Sequence, residues 1–93
     1  MADAQIRVGS QTAVASLASA IANRIYEGNT VVLQMIGAAA ISQGVKAIAV
    51  ASSFTAMPPR YISLSAKPVF EDVLGEDGHT VTRMLIKVYP DKT

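Results

Sequence analysis

The chain has 93 residues, 51% hydrophobic and 16% charged, with a formal net charge of +1 at pH 7. That length suits one domain over 1–93 with its core in 5–89, and folding at this size buries roughly 60–65% of the unfolded surface, so self-association would add stability. With no cysteine, disulfide frameworks, thiolate nucleophiles and cysteine-based zinc sites are excluded, in keeping with a reducing cytoplasm.

Gln5–Val8 alternates as a short strand, with Ile6 and Val8 on one side and Gln5 and Arg7 on the other. Gly9, Ser10, Gln11 and Thr12 form a turn into a helix that Ser10 or Thr12 can cap. Val14, Leu17, Ala18, Ile21, Ala22 and Ile25 follow helical spacing, and Gly28-Asn29 supplies a left-handed stop. Thr30–Ile36 is nearly all apolar, as a strand covered on both faces would be.

A second helix runs from about Ala39 to Phe54 and carries two apolar stripes. Ile41, Val45, Ile48 and Ser52 form one; Ala47, Val50, Ala51 and Phe54 form the other. One stripe docks a helix on a sheet, so two mean burial on more than one side. The second contact is either the first helix or a subunit interface to which Val50 and Phe54 contribute. Met57-Pro58-Pro59 cannot continue the helix.

Tyr61–Phe70 reads as a strand with Ile62, Leu64, Ala66 and Phe70 on one face and Tyr61, Ser63, Ser65 and Lys67 on the other. Pro68 cannot donate to a ladder, which predicts a bulge or an edge position. Leu74–Gly78 is a hairpin loop, and Thr80–Tyr89 alternates with Met84, Ile86 and Val88 inward and Arg83, Leu85 and Lys87 outward. The order is thus β-α-β-α-β-β. If the strands progress in one direction, right-handed crossovers put both helices on one face of a four-stranded mixed sheet, and the other face is open or used for association. The RNA-recognition fold, with two strands between its helices, is excluded. The N-terminus, with Asp3 and Arg7, is not a signal peptide, and no apolar run is long enough to span a bilayer.

Signals for catalysis are weak. His79 is the only histidine and sits in a hairpin with no group nominated to orient it. Glu71, Asp72, Glu76 and Asp77 lack the alternating ligands of a calcium loop and read as a solvated hairpin that protects a sheet edge. No metal or cofactor is expected. Segment 71–77 holds four of the seven acids and no base, which leaves eight bases against three acids elsewhere. Lys67, Arg83, Lys87 and Arg7 share the outward side of their strands, where Tyr61 and Tyr89 could stack on bases. That side is either a solvated face or a weakly basic binding surface. The start of the second helix is the other candidate: small residues at Ala38–Ala40 leave backbone N–H groups accessible, with Gln43 and Lys46 nearby. Gly37 and Gly44 match neither Walker A nor the dinucleotide fingerprint, and small residues of this kind more often serve close helix–sheet packing.

The stretch VVLQMIGAAAISQGVKAIAVASSF resembles the stage V sporulation protein S family, whose members carry an IGAGA-like turn followed by a Q-x-V-K-A-x-A-x-A helix. Ile36, Gly37, Ala38, Ala40, Gln43, Val45, Lys46, Ala47, Ala49, Ala51 and Phe54 stand at matching places, and a looser likeness extends from about Gln5 to Tyr89. More distantly, the element order and Ala40–Val45 are similar to Alba chromatin proteins. This resemblance implies an Alba-like two-layer sandwich, dimeric or of higher order, that binds DNA or RNA without catalysis as a bacterial regulator. The alternative is a self-associating adaptor between proteins. The Alba-like positions for gripping nucleic acid fall on Ser10-Gln11-Thr12, Gly37-Ala38-Ala39 and the hairpin, which here bears acids. Together with the sequence pattern, this nominates Gln11, Gln43, Lys46, Arg7, Lys67, Arg83 and Lys87 as the residues to meet nucleic acid.

Overall fold

The computed structural model describes residues 3–91. Strands β1 (Asp3–Val8) and β2 (Thr30–Met35) and helices α1 (Val14–Tyr26) and α2 (Ala38–Thr55) precede the long hairpin of β3 (Leu64–Leu74) and β4 (Thr80–Pro90). The sheet order is β1-β2-β4-β3, with β1 parallel to β2 and β4 antiparallel to both neighbours. β4 therefore inserts between β2 and β3, an order that the hydrophobic pattern left open. Since β1, β2 and β3 run the same way and step in one direction, right-handed crossovers put both helices on one face.

Register assigns the faces. Ile6, Leu33, Ile86 and Pro68 form one row toward the helices, and Val8, Met35, Met84 and Phe70 form the next. The core is built from the β1, β2 and β4 members of these rows and from Leu17, Ala18, Ile21 and Ile25 of α1 and Ala40, Ala47 and Ala51 of α2, whereas Pro68 and Phe70 on the edge strand are exposed. Ile21, Leu33 and Val31 are fully enclosed, and truncating Ile21 or Leu33 to Ala removes about 2–5 kcal/mol. Gly44 lets α2 approach β2 closely: a Cβ there would lie 2.4 Å from the Met35 sulfur.

Several local expectations are corrected. α1 begins after Ala13 without a side-chain cap; Thr12 Oγ1 instead accepts the Gly9 N–H at 2.8 Å and closes the turn. Of the two outcomes expected at Pro68 the edge position holds: β3 is the edge strand, and its register with β4 runs unbroken through Pro68↔Ile86 without a bulge. β3 starts at Leu64, so Tyr61 is no strand residue; it sits in the preceding loop at φ 51°. Glu71 and Asp72 belong to β3 and have cross-strand partners, Arg83 and Thr82. The expected stop at Gly28 holds, with φ 87° and the Asn29 N–H bonded to the Arg24 carbonyl. At the far end of α2, buried Thr55 donates its hydroxyl to the Ile62 carbonyl at 2.9 Å and ties the following loop down.

Candidate nucleic-acid interface

The open face of the sheet is read from the same register. One row across it is Gln5, Val32, Lys87 and Lys67; the next is Arg7, Gln34, Leu85 and Val69. Tyr89 opposes Ser65 and Arg83 opposes Glu71 on this face. Period-2 alternation in β1, β3 and β4 is what turns these polar side chains away from the helices.

Lys67 and Lys87 are thus direct cross-strand partners of like charge, an arrangement that is unfavourable for the protein alone. Lys87 is drawn toward β1, its Nζ 3.9 Å from Asp3 Oδ1, while Asp3 also accepts the Thr30 hydroxyl. Among the described residues Lys67 and Arg7 have no ion-pair partner. Gln34 donates to the Gln5 side chain across β1 and β2. Arg83 Nη2 donates to Glu71 Oε2 at 2.9 Å, and the pair is part-buried.

Beyond Met35 and its partner Met84, β4 and β3 continue past the end of β2 as an arm. The arm and the carboxyl ends of β1 and β2 bound a cleft of about 400 Å³. Arg7, Gln34, Arg83 and Glu76 supply its polar wall and Ile36, Val73 and Val81 its apolar one. At the tip, Asp77 accepts the His79 backbone N–H at 3.0 Å and lies 3.1 Å from the imidazole Nδ1. These contacts hold its carboxyl below the ordinary value of 3.8, the backbone bond contributing most. His79 is accordingly an exposed turn residue.

The nominated residues divide. Arg7, Lys67, Arg83 and Lys87 come together on the open face. Gln11 lies in the exposed turn after β1, at the same end of the sheet as the arm. Lys46 is exposed on α2, in the helical layer on the opposite side of the sheet. Gln43 is half-buried and donates to the Thr12 carbonyl at 2.8 Å, clamping α2 to the first turn. Tyr61, anticipated on the strand face with Tyr89, is instead in the loop before β3, at the end of the sheet away from the arm, where Tyr89 also lies. Gln5, Gln34 and the Glu71–Arg83 pair went unnominated; alternation placed Gln5 beside Arg7, but strand order was needed to bring Gln34 in.

The two stripes of α2 are separated as well. Gln43 reaches the turn before α1, and the Phe54 carbonyl accepts the Tyr26 hydroxyl, so this flank, with half-buried Val50, faces α1. The other flank looks onto an open apolar groove of about 590 Å³ between α2 and the β3–β4 hairpin. Ile41, Val45 and Ile48 line it from the helix, and Leu64, Met84 and Ile86 from the sheet. Val45 is 51% exposed there. Among the described residues no helix is long and apolar enough to cross a membrane.

The same arrangement occurs in a solved structure. Alba from Thermoplasma volcanium superposes with a TM-score of 0.52 over 91% of this chain and 98% of that one, at 18% sequence identity. The sandwich is therefore Alba-like in fold. The family model of stage V sporulation protein S matches residues 4–91, nearly the whole chain. The small-residue turn, the α2 pattern and this match place the chain in the stage V sporulation protein S family.

Proposed function

We propose that the protein is a non-catalytic regulator that binds DNA or RNA with the open face of its sheet, without a cofactor. The observation that carries this reading is the Lys67–Lys87 pair. Two like charges face each other on adjacent strands, with Arg7 one row away, on a surface free of helices. A phosphate between the two lysines would convert repulsion into two charge-assisted contacts. Tyr89 offers a stacking surface on the same face. Few contacts and a formal charge of only +1 make binding weak and sequence-tolerant. Lys46 and Gln43 contribute little in this arrangement, since one lies behind the sheet and the other is engaged with Thr12.

Fluorescence anisotropy with duplex and single-stranded DNA and RNA over a salt series tests it. Three to four phosphates neutralised on duplex DNA give a log–log slope of about −2.7 to −3.6. No binding to any of them at low salt would remove the reading.

A second reading, a self-associating adaptor, is supported by the groove between α2 and the hairpin, an apolar surface that the described residues leave open. The stripe at Ile41, Val45 and Ile48 is then the contact, with Val50 packed against the core and Phe54 tied to α1 through its carbonyl. Sedimentation at micromolar concentration distinguishes a dimer or higher oligomer from a monomer. The readings are compatible, because groove and open face lie on opposite sides of the sheet.

A further inference from the structure

The cleft under the hairpin arm has a composition that phosphate contacts on a flat sheet face do not require. Its volume of about 400 Å³ falls in the range of small-molecule sites. Two guanidinium side chains, Arg7 and Arg83, stand on its polar side with one carboxylate, Glu76, at the hairpin end, and Ile36, Val73 and Val81 form an apolar wall. Arg83 is held by Glu71 through Nη2, yet its Nε is buried with no hydrogen-bond partner, the one such side-chain atom among the described residues. An enclosed guanidinium nitrogen without an acceptor is costly, and a bound anion is a common resolution. Gln34 commits its amide N–H to Gln5, which leaves its carbonyl oxygen free to accept.

We propose that this cleft binds one nucleoside monophosphate unit. The phosphate engages Arg7 and Arg83, the two forks best suited to its oxygens. The base lies against Val73, Val81 and Ile36, and the Gln34 oxygen accepts a hydroxyl or exocyclic N–H. Inorganic phosphate alone would leave the apolar wall unfilled, and a neutral nucleoside would leave the guanidinium groups without an anion. The unit has two possible sources, a free nucleotide or the 5′-phosphorylated end of a strand. Only the second rests on the nucleic-acid reading above.

Amide-resolved NMR titration of the full chain with uridine monophosphate, uridine, and short oligonucleotides bearing a 5′-phosphate or a 5′-hydroxyl tests this. Saturable shifts at Val8, Gln34, Val73 and Val81 are expected with the monophosphate, the 5′-phosphorylated strand or both. Loss of the phosphate should weaken binding about tenfold or more. Arg7→Gln should do the same. Val73→Trp, which fills the cleft without touching a charge, should abolish binding, whereas Arg60→Gln, remote from the cleft, should not alter it. Shifts with the strand alone would assign the site to strand ends; shifts with the free nucleotide alone would assign it to a soluble ligand. Equal affinity for uridine and its monophosphate, indifference to Val73→Trp, or no shifts with any probe would overturn the proposal. Duplex binding through Lys67 and Lys87 could survive each of these failures, and its own loss would leave a free-nucleotide site standing.

Discussion

Replacing Lys67 by Gln should move stability and binding in opposite directions. In the protein alone, Lys67 and Lys87 are register partners, and like charges directly opposite on a sheet cost roughly 0.2–1 kcal/mol. The lower half of that range applies, because Lys67 is exposed and Lys87 leans toward Asp3 at 3.9 Å. Removing one charge should therefore stabilise the fold by about 0.2–0.5 kcal/mol. For a domain of this size that raises Tm by about 1–4 °C. The gain should shrink as salt screens the pair over a Debye length of about 8–10 Å. In the complex the same lysine contacts phosphate, so its loss should flatten the salt dependence on duplex DNA by about 0.9 in slope and weaken all duplexes alike. Calorimetry at low and high salt, run beside anisotropy titrations, measures both. A lower Tm, or an unchanged slope in a variant that folds, would refute the placement of phosphate between these lysines.

Three further outcomes follow from the packing and the hairpin. Gly44→Val should destabilise the fold by about 1–3 kcal/mol in denaturant unfolding, since a Cβ would meet the buried Met35 sulfur at 2.4 Å and the gain in helix propensity is only a few tenths. Val45→Asp, on the exposed flank of α2, should shift sedimentation toward monomer while the thermal transition stays cooperative; an unchanged oligomer would dismiss the groove as the contact. His79→Gln should preserve fold and binding, and an NMR titration should show the Asp77 carboxyl rising only partway toward 3.8, because the backbone N–H that dominates its depression remains. The depressed carboxyl favours the folded hairpin above its unfolded value, and that advantage fades as pH falls through the folded one, so acid should loosen the tip before the sheet.

Alternation in β1, β3 and β4 was enough to put Arg7, Arg83, Lys67 and Lys87 on one side, because side-chain direction in a strand is set locally. Helical spacing and the proline pair likewise located both helices, but the two stripes overstated the burial of α2, whose buried residues are Ala40, Gly44, Ala47, Ala51 and Thr55 while Val45 stands over an open groove. The small residues of α2 were legible as a packing device, with Gly44 against Met35 as its reason. Which stripe meets what was not legible, since helix docking depends on where the strands beneath have been set. Nor was the insertion of β4 between β2 and β3, a matter of long-range pairing that leaves no local periodicity. That one topological choice brings Lys87 to the side of Asp3 and carries the arm past β2 to form the cleft with Arg7, while the Lys67–Lys87 pairing follows from the β3–β4 hairpin itself. The chain's local pattern determined which faces are apolar and which charged; only the tertiary pairing decided which charges became neighbours, because strand register acts between residues far apart in sequence.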